Sequence, residues 1–83
     1  MNPDFGEIYI NLGNIFVEQG KIEEAIPYYT QALRIKPDLA EAHFSLGLAY
    51  LRMGNRSSAL EEYKILERMN PDLANNLHRK LYR

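Results

Sequence analysis

Residues 37–73 read PDLAEAHFSLGLAYLRMGNRSSALEEYKILERMNPDL, a stretch that decides the fold because it begins and ends on the same motif. Pro-Asp-Leu occupies residues 37–39 and again 71–73, and Pro3, Asp4 and Phe5 form a third, related copy. The prolines are therefore spaced by 34 residues, twice. A fixed period of about 20 to 50 residues is typical of chains built from tandem structural repeats.

Two complete units follow from this spacing, residues 6–39 and residues 40–73. Overlaying them without gaps gives 10 identities in 34 positions, whereas unrelated sequences of ordinary composition would share roughly two. The identical pairs are Glu7/Glu41, Leu12/Leu46, Gly13/Gly47, Gly20/Gly54, Ala25/Ala59, Tyr29/Tyr63, Arg34/Arg68, Pro37/Pro71, Asp38/Asp72 and Leu39/Leu73. The repeat is thus a property of the whole unit and not of its ends alone.

Each unit has the pattern of helix, tight turn, helix. The Pro-Asp pairs predict helix starts, because proline cannot continue a preceding helix and aspartate can cap the next one. Gly20 and Gly54 predict the end of each first helix, where glycine readily takes the left-handed conformation. The sequence therefore predicts helices over residues 5–19, 22–35, 39–53, 56–69 and 72–82.

The residues inside each unit carry a family resemblance. The tetratricopeptide signature runs W-x2-L-G-x2-Y, then A-x3-F, then P. The chain resembles it twice, with Tyr and His in place of Trp: Tyr9, Leu12, Gly13, Phe16, Ala25, Tyr29, Pro37, and then His43, Leu46, Gly47, Tyr50, Ala59, Tyr63, Pro71. The resemblance implies an all-α fold, an α-α superhelix (solenoid) of two helix-turn-helix hairpins within one domain, residues 1–83.

Residues 74–83 do not begin a third unit, because they lack a Leu-Gly pair at the required spacing. Leu73, Leu77 and Leu81 form one apolar stripe of a helix. The opposite face carries Asn75, Asn76, Arg79, Lys80 and Arg83. An open end of a repeat array needs such a polar capping helix, and residues 74–83 are predicted to supply it.

The first helix of each unit has a second apolar face, beyond the one formed by Tyr9, Leu12 and Phe16 that should meet its partner helix. By resemblance to the family, this second face lines a concave groove that binds peptides. The predicted groove residues are Ile10, Asn14, Val17, Phe44, Leu48, Leu51 and Arg52, with His78 and Tyr82 added by the capping helix. The alternative is that these side chains simply pack against one another or against the cap.

One variant of the family grips a terminal carboxylate with lysine, asparagine and arginine. Asn14 matches its first asparagine and Arg79 an arginine position. However, Ile10 stands where lysine is needed, and Ser45 where a second asparagine is needed. This carboxylate clamp is therefore not expected here.

Composition and motifs favour an interaction module and not an enzyme. No catalytic or metal-ligating constellation is evident, no cofactor is expected, and a net charge of -1 gives no general attraction to nucleic acid or membrane. The absence of cysteine fits a reducing compartment, and we expect a cytoplasmic location. The predicted function is to bind a protein or peptide partner.

Self-association, or membership of a longer array, is the alternative function. Ala42 and Ala49 lie on a third face of their helix, which should pack on the preceding hairpin. Their equivalents, Ile8 and Ile15, have no hairpin before them in this sequence. With Phe5 they predict an apolar end through which a homo-oligomer forms.

Overall fold

The computed structural model describes residues 4–82, and within this range the chain forms five α-helices. They are α1 (Phe5–Glu18), α2 (Ile22–Ile35), α3 (Ala40–Arg52), α4 (Arg56–Met69) and α5 (Pro71–Leu81). Every helix begins and ends within one residue of the prediction. The predictions that concern Pro3 and Arg83 lie outside the described residues.

The turn inside each hairpin is built around glycine, as predicted. Gly20 and Gly54 have φ angles of 81° and 80°, which only glycine adopts without strain. The Lys21 N–H then donates to the Phe16 carbonyl (2.8 Å), and the Gly20 N–H donates to the Val17 carbonyl (2.9 Å). These bonds satisfy carbonyls at the end of α1 and reverse the chain toward α2.

The predicted aspartate cap is present at one of the three Pro-Asp pairs. The Asp4 side chain accepts a hydrogen bond from the Glu7 N–H (2.8 Å) and caps α1. Asp38 does not cap α3, because the helix begins one residue later, after Leu39, without a side-chain cap. Asp72 does not cap α5 either, since Asn70 accepts from the Leu73 N–H and Asp72 lies in the first turn.

The helices stack in chain order: α1 pairs with α2, α3 with α4, α2 joins the hairpins by packing on α3, and α5 covers α4 and α3. One core cluster lies between the two hairpins and includes Ala42 and Ala49, which confirms that this face of α3 packs on the preceding hairpin. A second cluster under the cap holds Ala59, Leu66, Ala74, Leu77 and Leu81.

Two glycines inside helices permit close packing. A Cβ atom at Gly13 would lie 2.6 Å from the Tyr29 Cε1 atom, so α1 and α2 approach each other there as predicted. At Gly47 the nearest atom is Leu77 Cδ2, also at 2.6 Å. At Gly47, α3 is therefore approached most closely by α5. The repeat pattern instead predicts that α4 comes closest, as α2 does at Gly13.

Candidate functional site

A small recess opens between α1 and α3, on the face where their side chains meet. Its volume is about 70 Å³. Its lining combines apolar side chains with polar groups from both helices. It is lined by Asn14, Val17, Tyr29, Ser45, Leu48, Ala49 and Arg52.

The floor of this first recess is held by a hydrogen bond between helices. The Tyr29 hydroxyl of α2 donates to Asn14 Oδ1 of α1 (2.5 Å). Burial raises the pKa of Tyr29 above its ordinary value, outweighing the Ser45 hydrogen bond and the Arg52 charge, which lower it. The phenol therefore stays neutral at physiological pH and donates. Because the amide oxygen of Asn14 is engaged, its two N–H donors are left for a ligand.

A second, wider recess continues toward α5. It measures about 360 Å³ and is lined by Leu48, Leu51, Arg52 and Lys80. Leu48 and Arg52 border both recesses. The two recesses are therefore adjacent, and we call them together the cleft.

Five of the predicted groove residues line the cleft: Asn14, Val17, Leu48, Leu51 and Arg52. Phe44 is half-buried against the core cluster under the cap and lines neither recess. The structure thus places the apolar centre of the cleft at Leu48.

Ile10 has a different position from the one predicted. Its side chain is only 4% exposed and belongs to the core between the hairpins. Ala42 and Ala49 belong to the same cluster, and their small side chains leave room for it. Ile10 therefore contributes to the packing between the hairpins, and its side chain is not accessible to a ligand.

His78 and Tyr82 were predicted to line the groove, but neither residue borders the cleft. The His78 ring lies 5.4 Å from the Tyr63 ring of α4, and Tyr82 lies under the Arg56 guanidinium of α4. On a helix, residue 80 points roughly 160° away from residue 78. Because Ala74, Leu77 and Leu81 fix the buried face of α5, Lys80 borders the cleft and the two rings do not.

Four residues of the cleft are not predicted by the sequence to line it: Tyr29, Ser45, Ala49 and Lys80. The sequence identifies Tyr29 only as a repeat position and predicts that Ala49 packs on the preceding hairpin. Ser45 stands where the carboxylate clamp needs an asparagine, so the resemblance gives it no role. For Lys80 the sequence offers no signal, because its direction depends on how α5 rotates against two other helices.

His43, at the position of the signature tryptophan, is buried and has two polar contacts. Its Nδ1 atom lies 2.7 Å from Glu62 Oε1, and its Nε2 atom lies 3.1 Å from the Pro37 carbonyl oxygen. Both ring nitrogens therefore have an oxygen within hydrogen-bond distance. The ring thereby joins α3 to α4 and to the turn between the hairpins.

An apolar surface lies on the outer side of α1. We call Phe5, Ile8, Leu12 and Ile15 the end face. Ile8, Leu12 and Ile15 are 38%, 36% and 49% exposed, whereas their equivalents in the second unit, Ala42, Leu46 and Ala49, are 0%, 4% and 1% exposed. The difference arises because α2 covers α3, while α1 has no helix before it in the described residues. Leu12, which was expected to meet α2, is thus much more exposed than Leu46 at the same position of the second unit.

Two further observations bear on the class of site. Among residues 4–82, no cluster of three or more His, Cys, Asp or Glu side chains could hold a metal ion. None of the helices in the described part of the chain has the length and apolar composition needed to cross a bilayer.

The comparison with known families agrees with the repeat and with the fold. A family model described as "TPR repeat" matches residues 13–54, and one described as "Tetratricopeptide repeat" matches residues 40–73. The second match coincides with the second unit defined by the Pro-Asp-Leu spacing. The chain therefore belongs to the tetratricopeptide repeat family.

Proposed function

We propose that the chain is a non-catalytic interaction module whose cleft binds a segment of a partner protein. Tetratricopeptide repeats generally mediate protein–protein interaction and are typically not catalytic. The observation that carries the proposal is the pair of adjacent recesses that residues of α1, α3 and α5 line.

The lining suits a peptide. Val17, Leu48 and Leu51 offer a contact for an apolar side chain, and its burial supplies the main favourable free energy. The Asn14 amide and the Ser45 hydroxyl can bond to peptide backbone groups beside it. A few convergent polar groups around an apolar centre are typical of ligand sites.

The proposal is tested by selection and mapping. Capped octapeptides with one fixed leucine and random flanking residues are selected on the native chain, and the tightest peptide is titrated into isotopically labelled protein. We expect backbone shifts centred on Val17, Ser45 and Leu48. Shifts centred on Lys64 and Ile65, at the exposed surface of α4, would refute the cleft.

Self-association is a second candidate function, favoured by the end face. Phe5 is 71% exposed and continues the apolar surface of Ile8, Leu12 and Ile15. A contiguous apolar patch of this kind marks an interface more often than a free surface. We propose a second copy of the chain as its occupant.

The prediction is that the native chain forms oligomers as its concentration rises to millimolar, and that Ile8→Glu with Ile15→Glu abolishes them. Light scattering coupled to size exclusion measures both. The matched control is Ile35→Glu with Met53→Glu, which changes two other exposed apolar residues. A native chain that stays monomeric would contradict self-association. Oligomers that persist in the Ile8→Glu, Ile15→Glu variant would contradict it as well.

A further inference from the structure

We infer that the cleft is selective for a partner segment in which an acidic side chain lies close to an apolar one. This inference rests on the proposed function and specifies the chemistry of the partner. It depends on two cations at the wide end of the cleft.

Arg52 and Lys80 come from different helices and line the same recess of about 360 Å³. Arg52 lies in the last turn of α3 and Lys80 in the last turn of α5. Their meeting is a product of the tertiary structure, since 28 residues separate them in the sequence. Two cations at one recess create a local positive potential in a chain whose net charge is -1.

Neither cation has an ionic partner among the described residues. Within residues 4–82, the ion pairs join Lys36 to Asp4 and His43 to Glu62. The guanidinium of Arg52 and the ammonium of Lys80 are therefore available to an external carboxylate. A carboxylate that accepts from both would form charge-assisted hydrogen bonds, which are stronger than neutral ones.

The neighbours of the two cations define the rest of the segment. Leu48 and Leu51 line the same recess, so the residue beside the acidic one should be apolar. The smaller recess shares Arg52 and adds the neutral polar side chains of Asn14 and Ser45. Ile10 is buried and no lysine stands there, so the cationic end lies at α3 and α5 and not at the start of α1.

A side-chain carboxylate fits this geometry better than a chain terminus. Because the two recesses share Leu48 and Arg52, a peptide that occupies both recesses has residues on either side of Arg52. The competing explanation is that Arg52 and Lys80 only complement the dipoles of their own helices. That explanation predicts an effect on stability and none on ligand choice.

The test compares three pools of capped octapeptides that share a fixed leucine and differ in one neighbouring residue, which is Glu, Gln or Lys. The native chain should retain Glu peptides most and Lys peptides least. For the best Glu peptide, the change Glu→Gln should weaken binding by roughly tenfold, the scale of a charged hydrogen bond. This gap should narrow as salt rises from about 0.05 M to about 0.5 M.

Variants of the protein complete the test. Arg52→Gln with Lys80→Gln should erase the preference for Glu over Gln while Gln peptides still bind. The matched control, Lys64→Gln with Arg68→Gln on the exposed side of α4, should keep the preference.

Equal retention of Glu and Gln pools by the native chain overturns the inference and leaves the proposed function standing. A preference that appears only with a free C-terminal carboxylate also overturns it. Failure of every pool to bind removes the proposed function as well.

Discussion

His43 shows how one residue can depart from a family signature and still serve the fold. It occupies the position of the signature tryptophan and is buried, but it is polar. Polar partners on both sides of the ring, Glu62 and the Pro37 carbonyl, compensate for its burial. The position of His43 within the repeat indicates a packed side chain, because the signature tryptophan stands there. The sequence does not identify Glu62 as the partner of His43, because the adjacent residue, Glu61, is of the same type.

At this scale we predict that Glu62→Ala lowers the free energy of unfolding by about 1–3 kcal/mol, the cost of leaving a buried polar group without its partner. Glu61→Ala is the control, because Glu61 is exposed, and it should change stability by less than about 0.5 kcal/mol. Urea unfolding followed by circular dichroism measures both. Equal effects of the two variants would contradict the role given to the His43–Glu62 contact.

At the scale of elements, the sequence predicts where helices lie more reliably than how they are rotated. Proline, glycine and the 3.6-residue period determine helix ends, and both ends of all five helices agree with the prediction within one residue. The rotation of α5 depends on packing against α3 and α4 together. Leu77 fills the space beside Gly47, and Ala74 is buried while Leu73 is only half-buried. This rotation turns Lys80 toward the cleft and His78 toward α4.

The capping helix provides the second stability prediction. Leu77 is fully buried, so Leu77→Ala should destabilise the chain by about 2–5 kcal/mol through lost burial and the cavity left beside Gly47. Asn76→Ala, an exposed change in the same helix, is the control. Unfolding curves that coincide for the two variants would show that α5 does not cover the core as described.

At the scale of the whole molecule, the two ends of the array differ. The C-terminal end is closed by α5, whereas the outer side of α1 is apolar and uncovered within the described residues. The repeat made this asymmetry predictable, because residues that are alanine in the second unit are isoleucine in the first. The cleft was only partly predictable, since Ile10 and Phe44 occupy equivalent positions yet differ in burial. Burial at those positions depends on the size of neighbours from other helices.

Buried tyrosines should make the whole fold sensitive to alkaline pH. Burial raises the pKa of Tyr29 and Tyr50 above the ordinary value of 10.0, and the Glu62 and Glu61 charges raise the pKa of Tyr50 further. The folded state therefore holds these protons more tightly than the unfolded state. The resulting stability is fully present below pH 10.0 and is lost as pH rises through the folded pKa values.

The check is urea unfolding at a series of values between about pH 8 and about pH 11, with Tyr29→Phe as the comparison. We expect the free energy of unfolding to fall above pH 10.0, and to fall less in the variant, which has no phenol to ionise at that position. Stability that does not change over this range would contradict the effect of burial.

The central claim is that the cleft binds a partner segment through its apolar centre, and Leu48 tests it most directly because it borders both recesses. The measurement is the affinity of the selected capped octapeptide for the native chain, for Leu48→Ala and for Ile65→Ala, an equivalent truncation at the exposed surface of α4. Leu48→Ala should weaken binding by more than about 1 kcal/mol, the usual scale of an interface hot spot, and Ile65→Ala should leave it unchanged. Native affinity in Leu48→Ala, or an equal loss in both variants, would contradict the claim.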